Sequence, residues 1–310
     1  MTAVDTPMAP GQDDPADPAT WILQRAISPR RRLVNACANA WMIGSLLVAL
    51  VPVVVIAIYV ASKGAGVMSI GFLTKNLPIV TQFPGGGIGP AIIGTLVITG
   101  VAALIAIPLG VLAAVYLNEY GRDQPIAKVI RFMTDVMTGV PSIVMGLFVA
   151  TVWVSAGLHF GYSGFAGSLA LGALMLPIVI RSCEEMLKLV PEDLRLASDA
   201  LGARRWRTIV SVALPAALPG IVSGAMLAVA RAAGETAPLL FTIGVTNSVN
   251  ANPFSGTNTT LSQEIWLNAQ TPFAAAKDRA WGAALTLIAI VFLFTVIARV
   301  VSARFSTLRR

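Results

Sequence analysis

Six long apolar runs constrain this chain more than any other feature of its sequence. They lie at residues 40–61, 91–117, 132–156, 165–180, 216–241 and 281–301. At a rise of about 1.5 Å per residue, helical runs of this kind cross a hydrocarbon core about 30 Å thick, and the fourth run is the shortest. The runs are continuously apolar, which favours helices over the alternating strands of a β-barrel. The sequence therefore predicts an all-α polytopic membrane protein with six transmembrane helices.

The low charge content excludes other broad classes of protein. Only 12% of the residues are charged and 56% are hydrophobic, whereas a soluble globular domain carries about 25% charged residues. A disordered chain would be far less hydrophobic. Residues 1–34 differ, because they are first acidic and proline-rich and then basic. We expect a largely disordered tail there without a secretory signal, a membrane domain at 35–305, and a short basic tail at 306–310.

The distribution of Lys and Arg predicts how the chain crosses the membrane. Sixteen of the 22 basic residues lie before the first run, after the last run, or in the loops between runs two and three and runs four and five. Four lie in the other loops, and Arg231 and Arg299 fall within runs. Because basic loops stay inside the cell, both termini are expected in the cytoplasm. The net charge of +7 then reflects topology and contact with membrane lipid, and no nucleic-acid partner is expected.

Residue types that carry catalysis or bind metals are scarce. Cys37 and Cys183 are too few for a disulfide framework and lack metal-ligand spacing, and the lone His159 is interpreted as a polar loop residue. The glycines within 85–89 are followed by no Lys-Ser or Lys-Thr, so they do not form an ATP phosphate loop. No nucleophile–base pair or paired-carboxylate site is evident. We expect no catalytic residue, no bound metal and no enzyme activity of the chain itself.

Two loops stand out by their size. The loop at 244–280 is rich in Asn, Thr and Ser, and we expect a wet external surface. The loop at 181–215 is predicted to be helical, because Pro191 suits a first helical turn and Leu194, Ala197 and Leu201 form an apolar strip. Gly202 breaks this helix, and a second amphipathic piece follows. Such a pair of short helices either docks into a groove on a partner protein or lies as an amphipathic loop on the membrane.

The second half of this loop resembles a known motif. Gly202, Val212, Leu214 and Pro215 have the spacing of the coupling (EAA) loop of ABC importer permeases, at 191–215. Where the family pattern begins Glu-Ala-Ala, this chain has Leu196, Ala197 and Ser198, so the glutamate is missing.

Four further segments extend the resemblance to permeases of bacterial phosphate-specific transport systems. They are GGGIGPAIIGTL (85–96), GVPSIVMGL (139–147), LPIVIRSCEEML (176–187) and ARAAGETAPLLF (230–241). The last segment is similar to the A-type subunit, and the likeness covers roughly residues 40–305.

The resemblance implies a type I ABC importer permease (MetI-like) fold, with a shared five-helix core and an additional first helix. It also implies import of inorganic phosphate through the bacterial plasma membrane. The implied partners are a C-type permease subunit as heterodimer partner, a dimer of cytoplasmic ATPase subunits, and an extracytoplasmic phosphate-binding protein. ATP would be used by the ATPase subunit, and no cofactor would bind to this chain.

Arg231 and Glu235 form the chemical centre of the predicted site. They lie four residues apart in the fifth run, so we expect both on one helix face. A charge in a bilayer costs about 2.5–3.5 kcal/mol and is tolerated where it faces water or a partner. A guanidinium offers paired donors to phosphate, the carboxylate keeps the site from becoming a trap, and Thr236 adds a hydroxyl donor. The alternative is an ion pair that locks the fifth span to a neighbour.

Other functions remain open at this point. One is a permease for another oxyanion, such as molybdate or sulfate, against which only the resemblance argues. Another is an ion-coupled carrier or channel acting alone, although we find no inverted repeat of broken helices that would support it.

Overall fold

The computed structural model describes residues 29–121, 124–155 and 160–307. The predictions made for the tail at 1–28, for His159 and for residues 308–310 lie outside these ranges. Residues 29–34, assigned from sequence to the tail, belong to the first helix.

The described residues form helices, joined by turns and by longer irregular segments at 75–88 and 243–260, and contain no strand. The helices are α1 (Pro29–Gly64), α2 (Ile70–Thr74), α3 (Gly89–Val115), α4 (Pro125–Gly139), α5 (Ser142–Val149), α6 (Gly164–Lys188), α7 (Glu192–Ala200), α8 (Arg205–Thr208), α9 (Leu214–Ala233), α10 (Ala237–Thr242), α11 (Leu261–Ala269) and α12 (Ala274–Thr307). Turns of π-helix follow three of them, at Tyr116–Tyr120, Ala150–Ser155 and Ile209–Ala213.

Five helical stretches are long and apolar enough to cross a membrane. They are Arg30–Val67, Gly89–Tyr120, Gly164–Lys188, Arg205–Ala233 and Ala274–Arg304. A sixth candidate is the pair Pro125–Gly139 and Ser142–Ser155, which is bent by 104°. The count of six spans therefore holds when the bent pair is taken as one span.

The third span is not the single helix that the apolar run at 132–156 predicts. Val140 adopts an extended conformation and Pro141 precedes the first residue of α5. Proline disfavours the helical conformation of the residue before it and lacks an N–H for the helical ladder, so the helix stops and restarts in a new direction.

The fifth span is also broken, and the prediction of one continuous helix over 216–241 is wrong. Helix α9 ends at Ala233, Gly234 caps it, and α10 starts at Ala237. The Gly234 N–H donates to the Arg231 carbonyl and the Glu235 N–H to that of Ala232, both at 3.1 Å, which tightens the last turn. Glu235 thus lies beyond the helix end rather than on the helical face of Arg231.

The core is built from α3, α6 and α9, which pack through small and medium side chains. Ile98 and Ala102 of α3 meet Met175 of α6, and Ala217 and Ile221 of α9 complete this cluster. Alanine and glycine at such positions let helices approach closely. Residues 29–58 of α1 form a separate unit, in which apolar side chains such as Leu46 and Val51 are exposed, as a lipid-facing helix requires.

The segment expected as a wet loop, 244–280, is exposed along much of its length but is buried at its centre. Residues 258–264 are all buried. The Leu261 N–H donates to Thr95 Oγ1 of α3 at 2.9 Å, and the Gln263 side chain donates to the Gly244 carbonyl at 2.7 Å. The polar side chains of this central stretch satisfy buried irregular backbone with hydrogen bonds, whereas many residues on either side of it are exposed, as a wet surface requires.

Candidate functional site

The two helix breaks meet at one cleft with a volume of about 260 Å³. The break between α4 and α5 contributes one wall, the middle of α6 around Pro177 a second, and the junction of α9 with the α10 segment a third. The lining residues are Met137, Thr138, Val140, Pro141, Ser142, Leu174, Pro177, Ile178, Arg231 and Glu235. The cleft is thus mostly apolar, with one cation and one carboxylate among its walls.

Arg231 and Glu235 are brought together in this cleft. Arg231 Nε lies 3.7 Å from Glu235 Oε1, and the two side chains are 69% and 20% exposed, respectively. An ion pair that is this exposed and has this separation is weak, and it contributes about 0–1 kcal/mol to stability. The guanidinium therefore retains donors for an anion, while the shielded carboxylate moderates the local positive field.

A contact from a distant segment fixes the backbone of Glu235. Ser262 Oγ of α11 donates to the Glu235 carbonyl at 2.8 Å. Sequence reasoning missed Ser262, because its position 27 residues away in a polar loop carries no local signal. The start of α11 is therefore connected to the cleft through the backbone of Glu235.

Thr236 is placed differently from its predicted role. It is half-buried, precedes α10, and does not line the cleft. Its carbonyl accepts the N–H groups of Leu239 and Leu240. The structure thus brings Arg231 and Glu235 to the cleft but gives Thr236 a backbone role at the start of α10.

Residues 191–215, which we call the coupling arm, form two short helices and a turn. Helix α7 ends near Gly202, whose φ of +75° is a left-handed conformation that glycine adopts without strain. Ser198 Oγ and Thr208 Oγ1 lie 2.9 Å apart and join α7 to α8 across this turn. The predicted pair of helices around Gly202 is present.

The end of the coupling arm continues directly into α9. Val212 lies in the π-turn Ile209–Ala213, and Leu214 and Pro215 are the first residues of α9. A proline fits here because it lies in the first turn of α9, where a proline is tolerated. The arm is thus rigidly connected to the helix that carries Arg231.

One face of the coupling arm is apolar and exposed. Leu196, Leu201, Trp206 and Val210 are between 56% and 89% exposed, and Ala197 is exposed beside them. Large exposed apolar side chains grouped in this way mark a surface for a partner protein or a membrane. Arg204, Arg205 and Arg207 of the arm are also exposed, and Arg205 donates a hydrogen bond to the Glu119 carbonyl.

Glu184 of α6 is a buried ionic centre that the sequence did not reveal. Its side chain is 1% exposed, and it lies 2.9 Å from Arg131 Nε and 3.3 Å from Lys188 Nζ. Arg181 is 3.9 Å away and also pairs with Asp135. A buried carboxylate is tolerated when cations and hydrogen bonds surround it, so this cluster ties α4 to α6.

Comparisons with known proteins agree with a membrane transport permease. The family model of the binding-protein-dependent transport system inner membrane component matches residues 106–307. The phosphate transport system permease protein PstA 1 of Mycobacterium tuberculosis is 44% identical over 300 residues, covering 96% of each chain. The phosphate transport system permease protein PstA of Yersinia pestis is 40% identical over 274 residues, covering 88% of this chain and 92% of the relative.

Solved structures share the fold at lower identity. A chain of the methionine ABC transporter MetNI in inward facing conformations aligns with a TM-score of 0.56 at 20% identity, covering 69% of this chain and 94% of that chain. A chain of a bacterial ABC transporter involved in alginate import aligns with a TM-score of 0.54 at 16% identity, covering 88% and 99%. The expected all-α, MetI-like permease fold is therefore confirmed. The chain belongs to the family of binding-protein-dependent transport system inner membrane components.

Proposed function

We propose that the chain is the A-type permease subunit of an ATP-driven importer that moves inorganic phosphate into a bacterial cell. The observation that carries this proposal is the open guanidinium of Arg231 beside the shielded carboxylate of Glu235, in a cleft between two broken helices. The names of the relatives, which are phosphate transport permeases, support phosphate as the substrate.

The cleft suits passage of an anion better than its storage. Phosphate accepts paired hydrogen bonds from a guanidinium, which stays protonated throughout the physiological range. Glu235 reduces the net positive charge, so the anion is attracted and still leaves quickly. Apolar residues such as Leu174 and Ile178 offer no further hydrogen bonds that would hold it.

The coupling arm supplies the connection to a motor. We assign its exposed apolar face to a dimer of cytoplasmic ATPase subunits, which hydrolyse ATP while this chain performs no chemistry. ATP binding would close that dimer, displace the arm, and open the path toward an extracytoplasmic phosphate-binding protein. The second half of the path would come from a C-type permease subunit. In this arrangement the arm and both termini lie in the cytoplasm.

The test is reconstitution of the full complex in liposomes. The chain is purified with a C-type permease and the ATPase subunit, the binding protein is added on one side, and uptake of radiolabelled phosphate is measured with ATP on the other. We expect uptake that requires hydrolysable ATP and is unaffected by excess sulfate or molybdate. Uptake without nucleotide would contradict an ATP-driven importer, and inhibition by sulfate or molybdate at equal concentration would indicate a permease for another oxyanion.

A further inference from the structure

Glu119 forms hydrogen bonds with both helices of the coupling arm. It lies in the π-turn Tyr116–Tyr120 that ends α3. Arg195 Nη2 of α7 donates to Glu119 Oε1 at 2.9 Å, and the guanidinium of Arg205 in α8 donates to the Glu119 main-chain carbonyl. The helices on both sides of the turn at Gly202 therefore hydrogen-bond to the same residue of the membrane domain, Glu119.

This contact is largely shielded from water. The side chains of Glu119 and Arg195 are 7% and 13% exposed. Asn118 also donates to Glu119 Oε1 at 2.7 Å, and Arg195 donates to the carbonyls of Leu187 and Val190 at 2.9 and 3.1 Å. Charges that are shielded from water attract each other more strongly than exposed charges, so the Glu119–Arg195 ion pair holds α7 to the end of α3. The rest of α7 is mostly exposed.

Helix α3 connects this attachment to the segment that contacts Glu235 of the cleft. At its opposite end Thr95 Oγ1 accepts the N–H of Leu261, and the next residue, Ser262, donates to the Glu235 carbonyl. A continuous series of bonded groups thus joins the arm, α3, α11 and Glu235. Energetic coupling between distant sites travels through packed elements and hydrogen bonds of this kind.

The geometry points to Glu119 as the positioning residue through which movement of the coupling arm reaches the translocation cleft. The inference rests on the proposed function and deepens it, since it says how ATP-driven motion is linked to the path. Because Arg195 and Arg205 lie on opposite sides of Gly202, the arm moves as one piece with α3 while both contacts hold. Loss of the Glu119 charge weakens the attachment of α7 to α3, while the main-chain bond from Arg205 and the exposed docking face are kept.

The experiment compares phosphate taken up per ATP hydrolysed in the reconstituted full complex. In E119Q and R195Q we expect the complex to assemble and hydrolysis to stay within about twofold of wild type. Uptake per ATP should fall about fivefold or more, the lower range of typical coupling between sites. The matched control is E185Q, which removes an exposed carboxylate of α6 outside the coupling arm and should leave the ratio unchanged.

Two further variants separate positioning from mere stability. R195K keeps the charge and should retain more than half of the wild-type ratio, and the E119Q/R195Q double variant should be no worse than either single variant. Three results would each overturn the inference. Uptake and hydrolysis could fall in proportion, the losses of the two single variants could add up in the double variant, or both single Gln variants could fail to assemble. Absence of ATP-driven phosphate uptake in the wild-type complex would instead overturn the proposed function, so the two failures are distinct.

Discussion

Gly146 lies so close to Pro238 that a Cβ atom on Gly146 would come within 2.4 Å of the Pro238 Cα. Gly146 belongs to α5 and Pro238 to α10, and each of these short helices follows one of the two helix breaks. Their contact holds the breaks at Pro141 and Glu235 beside one another and so forms the cleft. A glycine is required at position 146 because the atoms opposite it belong to the Pro238 backbone, which cannot make room by changing a side-chain rotamer.

The variant G146A should therefore separate α5 from α10. We expect a loss of stability of about 1–3 kcal/mol, as for other overpacked sites, together with reduced phosphate uptake. Thermal unfolding of the detergent-purified protein and uptake by the complex measure the two effects. The matched control is G139A, because a Cβ on Gly139 meets nothing within 4 Å. Equal unfolding temperatures for the two variants would show that the close contact does not constrain the cleft.

Replacement of Arg231 by Gln should strongly reduce anion passage while leaving assembly intact. A charge-assisted hydrogen bond contributes about 1.5–3 kcal/mol, so uptake should fall about tenfold or more. Uptake is measured in liposomes, and assembly by co-purification of the partner subunits. R299Q, which removes an exposed arginine of α12 that does not line the cleft, serves as the control. If R231Q failed to assemble, the pair with Glu235 would be a structural lock and not part of the path.

Two glycines of α3 should respond in opposite ways to the same substitution. A Cβ on Gly94 would lie 2.0 Å from the Thr259 carbonyl oxygen, whereas one on Gly100 would meet nothing within 4 Å. We expect G94A to destabilise the protein by about 1–3 kcal/mol through displacement of the buried segment. G100A should be neutral or stabilising by up to about 1 kcal/mol, because alanine favours a helix. Thermal unfolding checks both, and a tolerated G94A would argue against close packing of residues 258–260 on α3.

Glu264 of α11 should make stability depend on pH. Burial raises the pKa of this carboxyl above 4.5, although the Asn268 hydrogen bond and the charge of Arg279 act in the opposite direction. The folded protein therefore holds this proton more tightly than the unfolded chain, so this contribution is complete below pH 4.5 and is lost as pH rises through the raised pKa. E264Q, which keeps an acceptor for Asn268, should unfold at a higher temperature than wild type at pH 8.

The difference between E264Q and wild type should narrow as the pH approaches 4.5, where both side chains are neutral. Unfolding temperatures measured between pH 4 and pH 8 give the comparison, with E192Q as an exposed control. A gain for E264Q that is the same at every pH would show that desolvation of the carboxylate is not its cause.

Local sequence patterns predicted the membrane character, the coupling arm and the two charges of the cleft. Hydrophobic runs of sufficient length cross a bilayer as helices whatever their neighbours are, because lipid leaves each backbone group to be satisfied within its own segment. The turn at Gly202 and the apolar strip of α7 likewise depend on a few adjacent residues. Pro141 carried a signal for the bent third span, although the run of apolar residues predicts a single helix.

The tertiary structure decided which distant residues meet. Ser262 reaches Glu235 and Arg195 reaches Glu119 only because α11 and α7 pack where they do. Residues 258–264 depart from the expectation of a wet loop for the same reason, since polar groups are buried wherever packing supplies their partners. Sequence determined the elements because their energetics are local, whereas the site depended on contacts between segments that no local pattern encodes.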